Sequence, residues 1–214
     1  MSLATALSRG SFADLVRASD AELYIERNAQ SSLTGGGERL RKSRAPAMWR
    51  AKVTTPPMER SEALGLVAII NSLEETDPFL LYDYRMPYPS SDLDGVAFGP
   101  ATPVVGTITD RRNIAFSGFP NNYAIPLGTY FQIIFDTSRY YLGQFAVAKT
   151  ASGAGAVSSA RITPPIPNSV SSGNAVTVIK PAAKFLMVED SAHISLSDDN
   201  MAALSFEAEQ TYSQ

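Results

Sequence analysis

Hydrophobic and polar positions alternate most cleanly from Trp49 to Thr54, with Trp49, Ala51 and Val53 on one side and Arg50, Lys52 and Thr54 on the other. That is the period of a strand with one buried face. Pro56 and Pro57 end it, because neither can donate to a ladder and Pro57 disfavours helical geometry at the residue before it. A helix is therefore predicted from about Met58 or Glu59 to about Leu73, with Ala63, Leu66, Val67, Ile70 and Leu73 on its apolar face. Burying its four large apolar side chains contributes roughly 1.5–3 kcal/mol each. Ordering its backbone costs about 1–2 kcal/mol per residue, so the helix must lie against a sheet. Phe79-Leu80-Leu81 supplies the next strand of that sheet.

The remaining pattern is almost entirely strand-like. Ser11-x-x-Asp14 predicts a short helix to about Ala18, and Glu22 to Arg27 alternates as a first strand. Short runs at Val104–Thr109, Asn113–Phe116, Thr129–Phe135, Arg139–Ala148, Val157–Ile162 and Val176–Ile179 are separated by Gly, Pro, Asp and Ser turns, the signature of a small barrel or sandwich. His193–Ser197 and Ala202–Glu209 form a terminal hairpin around Asp198-Asp199-Asn200, expected to pair with the sheet that carries Trp49. The chain thus predicts a mainly β fold with one principal α-helix. Residues 1–100 and 180–214 make one domain, and 101–179 make a second inserted into it.

Two stretches break the periodicity. Gln30 to Lys42 holds Gly35-Gly36-Gly37 and then Arg39, Arg41 and Lys42, with little apolar surface, and is expected to be a mobile loop. Met86 to Pro103 is rich in proline and glycine and reads as a linker. Both are expected to order only in an assembly.

Composition narrows the chemistry. The 214 residues are 44% hydrophobic with a net charge of −3 and no cysteine, which excludes disulfides, thiolate metal sites and cysteine nucleophiles. The longest apolar run, Leu64 to Ile70, falls far short of the roughly 20 residues that span a bilayer. The first ten residues lack the long apolar core of a secretory signal. No Gly-Lys-Ser/Thr follows the glycine run, so it does not read as a phosphate cradle.

Catalytic constellations are missing from the pattern. His193 is the one histidine and sits in an alternating strand, with no Gly-x-Ser-x-Gly turn to partner it. Asp92-x-Asp94-Gly95 lacks the length and closing Glu of a calcium loop. Glu74, Glu75 and Asp77, and Asp198 and Asp199, read as solvated turns rather than a glycosidase pair. No catalytic residue, cofactor or metal is expected. The aromatics leave a second function open: Tyr130, Tyr140 and Tyr141 are candidates for a carbohydrate-recognition surface on the inserted domain.

Several of these stretches together resemble the distal tail proteins of long-tailed bacteriophages. They are the Trp49 strand, Pro56-Pro57-Met58-x-Arg60-x-x-Ala63, and Phe79-Leu80-Leu81-x-Asp83. Leu127 to Ile133, Tyr140 to Val147, and the run from Ala175 through Phe185-Leu186 to Ala208 continue the likeness. Where that family carries Gly-Asp, this chain has Gly128-Thr129. The resemblance implies a β-sandwich belt domain interrupted by a small OB-like β-barrel. It also implies a homo-hexameric ring in the virion tail tip, assembled in the bacterial host cytoplasm. Such a ring contacts the tail tube protein and other tip or baseplate proteins, has no membrane partner, and meets DNA only in transit through its lumen. With the apolar helix face committed to the core, Glu59, Arg60, Glu62 and Asn71 are the candidate inter-subunit residues.

Overall fold

One strand near the C-terminus holds the first sheet together, and the chain reaches it last. The computed structural model describes residues 6–16, 20–27, 29–73, 77–196 and 200–212, which are 46% strand and 8% helix. Helix α1 (Ala13–Val16) precedes β1 (Asp20–Glu26), the hairpin β2 (Ala29–Leu33) and β3 (Arg39–Ser43), and β4 (Met48–Thr54). After β5 (Met58–Glu59) comes α2 (Arg60–Asn71), then β6 (Phe79–Tyr82). A second series follows: β7 (Val104–Asp110), β8 (Asn113–Ser117), β9 (Ala124–Ile125), β10 (Tyr130–Phe135), β11 (Arg139–Phe145), β12 (Lys149–Thr150), β13 (Val157–Thr163) and β14 (Val176–Thr177). The chain then returns through β15 (Ala182–Met187) and β16 (His193–Leu196) to β17 (Met201–Gln210).

The first sheet has the order β1-β4-β17-β15-β6, with β16 and β5 also paired to β17. Strand β17 pairs antiparallel with β4 and β5 along one edge and with β16 and β15 along the other. Its inward residues Ala202, Leu204, Phe206 and Ala208 join Trp49, Ala51 and Val53 of β4 in one core. Helix α2 lays Ala63, Leu66 and Ile70 on that face, with Val67 and Leu73 half-buried beside them. Phe12 closes the core edge-on to Phe79, ring centroids 4.8 Å apart. On the outward face Lys52 lies opposite Glu22 and Glu207, and Arg50 pairs with Glu26 at 2.6 Å and with Glu209. Alternation in β4 thus separates core from solvated charge.

The second sheet runs β14-β10-β11-β13-β8-β7, and β9 pairs with β12 alone. Among the described residues no sheet closes into a barrel. The two edge strands of the six-stranded sheet do meet, through an isolated bridge at Val104 and Ala175 flanked by Val105 N to Asn174 O at 2.9 Å and Val176 N to Pro103 O at 2.8 Å. Strands β10 and β11 lie between two cores. Tyr130, Tyr140 and Leu142 pack with the first sheet, while Phe131, Ile133, Phe135, Tyr141 and Phe145 fill the second core. Successive residues of a strand point to opposite faces, so one strand pair serves both.

Two stretches differ from expectation. Residues 29–43 form a hairpin rather than a loop, with Thr34 closing its turn through Gly37 N and Glu38 N, yet none of its paired side chains is buried. Residues 86–103 fold as successive turns around one buried carboxylate. Asp92 accepts the N–H of Ala97 at 3.0 Å, the N–H of Phe98 at 2.8 Å and the Tyr123 hydroxyl at 3.1 Å. The short helix is described over Ala13–Val16, and its expected end near Ala18 lies outside the described residues, as do Glu74, Glu75, Ser197, Asp198 and Asp199.

Candidate functional site

The aromatic surface expected on the inserted sheet does not form. Tyr141 is fully buried, with its hydroxyl donating to the Pro164 carbonyl, and Tyr130 is buried against the Trp49 ring at 5.6 Å. Tyr140 is half-buried under Lys184, whose Nζ stands 5.9 Å from the ring centroid. Tyr140 and Tyr141 are neighbours in β11 and so face opposite cores. They cannot make one platform. Burial pushes both the Tyr130 and Tyr141 hydroxyls up, with the neighbouring Asp83 carboxylate adding to the rise at Tyr130, so both remain neutral donors.

Glu59, Arg60, Glu62 and Asn71 are all exposed, but they are not one patch. Glu59 pairs with Met201 through β5, and Arg60 N reaches the Asn200 carbonyl at 3.3 Å, which fixes the start of the helix. At about 3.6 residues per turn, Glu62 and Asn71 fall on opposite flanks of the exposed arc. Its centre is held by Ser61, Leu64, Gly65, Ala68 and Ser72, with Leu64 52% exposed.

Two grooves each gather charge of one sign. The first, about 580 Å³, lies where the base of the β2–β3 hairpin meets the β7–β8 turn and Pro164. Arg27, Arg44, Arg111 and Arg112 line it, and among the described residues no carboxylate does. Asp110 shapes the turn from outside: it accepts Arg112 N at 2.6 Å and Asn113 N at 2.8 Å. Arg111 Nε donates to the Ile166 carbonyl at 2.7 Å, tying the turn to the irregular segment after β13. Arg27, Arg44 and Arg112 are exposed and make no ion pair among the described residues.

The second groove, about 670 Å³, opens between the C-terminal end of α2 and the chain after β15. Glu189, Asp190 and Glu209 line it together with Asn71, and among the described residues no cation does. Glu209 is committed to Arg50, whereas Glu189 and Asp190 are exposed and unpaired among the described residues. Sequence periodicity marks neither groove, since each gathers residues from segments far apart in the chain. The arginine-rich stretch before β4 was the one signal available.

Buried polar stitches between the two sheets also escape a sequence reading. Trp49 Nε1 donates to the Leu142 carbonyl at 2.7 Å, and Gln132 Oε1 accepts the Ala182 N–H at 2.8 Å. Among the described residues no group of three or more His, Asp or Glu is gathered to hold a metal ion. Asp92, raised in the sequence as half of a calcium-like motif, is committed to its loop: burial alone would push its carboxyl up, but the Ala97 and Phe98 N–H groups and the Tyr123 hydroxyl hold it below the usual range.

The fold and these surfaces define a mainly β protein of several sheets, with an exposed hairpin and two grooves of opposite charge among its described residues. No family model matches the chain, and no curated protein does so.

Proposed function

We propose that the protein is a structural component of a bacteriophage tail tip, a ring that joins the tail tube to the tip or baseplate and leaves a channel for DNA. In this reading the first sheet with its helix is the β-sandwich belt domain, and residues 101–179 form an OB-like domain whose edges meet at the Val104 and Ala175 bridge. The resemblance of the Trp49 to Asp83 stretch and of the later motifs supports the family. The observation that carries the assembly is the β2–β3 hairpin: five residue pairs of ladder project with no buried side chain, and Leu33 and Leu40 are 68% and 52% exposed. An isolated two-stranded hairpin is marginal in water, so this arm needs a neighbouring surface to stabilise it.

A ring of identical subunits uses two different faces of each copy, and the rotation between copies must close. Partners on the ring axis would be the tail tube protein and other tip proteins, in the virion. Negative-stain electron microscopy of the purified protein tests the reading. A closed ring supports it, whereas monomers that also fail to associate with tail-tube protein count against it. The glycan-binding alternative loses its platform with the burial of Tyr130 and Tyr141.

A further inference from the structure

From the opposite charge of the two grooves we infer that they are the two halves of one contact between copies of this chain: the arginine groove of one subunit takes the acidic lip of the next. This rests on the ring-forming reading above and assigns residues to its closing contact. The match is in charge: among the described residues Arg27, Arg44, Arg111 and Arg112 line one groove without a carboxylate, and Glu189, Asp190 and Glu209 line the other without a cation.

Within one subunit no described ion pair joins the two grooves. The arginine groove is built from the end of β1, the hairpin base, the β7–β8 turn and the chain after β13, and the acidic groove from the end of α2, the end of β15 with the chain after it, and the end of β17. A second copy brings them together without any new element. Used head to tail, as the ring reading requires, the pairing propagates around an axis rather than stopping at a dimer. The hairpin strengthens the argument. Its stretch from Arg27 to Arg44 carries Arg27, Arg39, Arg41, Lys42 and Arg44 against Glu38 alone, on a chain whose net charge is −3. The basic groove therefore continues up a basic arm, and the complementary surface it needs is the acidic remainder of another copy.

Exposed guanidinium and carboxylate groups attract across water and are screened by salt, with a Debye length of about 10 Å at 0.1 M and about 3 Å at 1 M. Association is therefore expected to weaken as salt rises. Charge repulsion of like grooves also sets the register, since arginine groove against arginine groove is disfavoured.

The test uses the full chain, with Arg44→Glu/Arg112→Glu as one variant and Glu189→Lys/Asp190→Asn as another. Asparagine is chosen at 190 because that residue has φ +53°, which asparagine tolerates. Arg111 is left in place for its bond to Ile166. By sedimentation velocity each variant alone is expected to associate at least tenfold more weakly than the wild type, with an unchanged circular dichroism melt. Mixing the two restores association, because each retains the groove that the other has lost. Variants that assemble as well as the wild type overturn the pairing while leaving the ring reading intact. A wild type that stays monomeric overturns the ring reading itself. Loss of binding to a fluorescent duplex DNA in the arginine variant, with self-association unchanged, overturns the pairing in favour of a phosphate site.

Discussion

The indole of Trp49 donates its Nε1–H to the carbonyl of Leu142, 2.7 Å away and 93 residues later in the chain. The bond joins the middle of the first sheet to a strand of the second, in a place neither solvent nor ligand reaches. The Trp49 ring lies beside Tyr130 on the same side. The two sheets are therefore fastened through one aromatic side chain with its polar end satisfied, as buried tryptophans require. Trp49→Phe keeps the apolar contact but orphans the Leu142 carbonyl, and is expected to cost about 2 kcal/mol. Trp49→Ala is expected to cost about 3–5 kcal/mol. Urea denaturation checks both, and because Trp49 is the one tryptophan, its emission in the wild type reports when the two sheets part.

Asp92 anchors residues 86–103, and its removal leaves the N–H groups of Ala97 and Phe98 without their acceptor. Asp92→Ala is expected to destabilise by about 2–3 kcal/mol, in the range for a charged hydrogen-bond partner. The same carboxyl gives the pH dependence a sign. Its folded value lies below its ordinary 3.8, so the fold favours the charged form. Its contribution is complete above the ordinary carboxylate range and is lost as pH falls through the lower folded value. Urea midpoints should fall for the wild type below about pH 4, and fall less steeply for Asp92→Ala. An equal slope in both would remove Asp92 as the cause.

Asp14 shares that direction with less at stake. Lys180 Nζ at 2.9 Å and the Tyr82 hydroxyl at 2.9 Å hold its carboxyl down, fastening α1 to the return from the second sheet. Both charged groups are about a third exposed, so solvent screens the pair, and Lys180→Ala is expected to cost no more than about 1 kcal/mol. A thermal melt near neutral pH distinguishes this from the larger loss at Asp92.

Gly155 has φ +72°, and a Cβ there would overlap the Phe119 carbonyl oxygen. Backbone cannot step aside as a flexible side chain does. Gly155→Ala therefore combines a disfavoured left-handed residue with a clash and is expected to cost about 2–3 kcal/mol. Gly173, also at positive φ but with open space around it, is the control: its alanine variant should lose only about 1–2 kcal/mol.

The helix flank gives the prediction that separates scaffold from interface. Glu59→Lys/Glu62→Lys changes two exposed side chains that no core contact uses. The monomer melt is expected to stay within about 0.5 kcal/mol of the wild type, while ring assembly seen by electron microscopy weakens. Unchanged assembly would make the outer flank of α2 a scaffold only.

How far the sequence could be followed varied with what positions each residue. In β4 and β17 one face is core and the other is solvent, so alternation at Trp49, Ala51 and Val53 and at Leu204, Phe206 and Ala208 states the burial directly. The same holds for Ala63, Leu66 and Ile70 on α2. The β2–β3 hairpin has no buried face, so its strands carry no period to read and resemble a loop. Residues 86–103 owe their shape to one carboxylate reaching backbone five and six residues on, which composition cannot reveal. Tyr130, Tyr140 and Tyr141 were misjudged for a further reason. Strands covered on both sides look like surface-ready aromatic runs until a second core is known to exist.

Strand β17 has an implication for how the chain reaches its native state. Thr55 accepts the Leu204 N–H across 149 residues, and β17 bonds to four other strands on its two edges. Until it arrives, β4 lacks one neighbour, β15 lacks another, and α2 has only part of the apolar surface it covers. The second sheet has no such wait, since all its strands lie between Val104 and Thr177. Such long-range closure makes folding slow relative to local pairing. During synthesis the inserted sheet can condense first, and the outer one that began earlier is completed only when its central strand emerges.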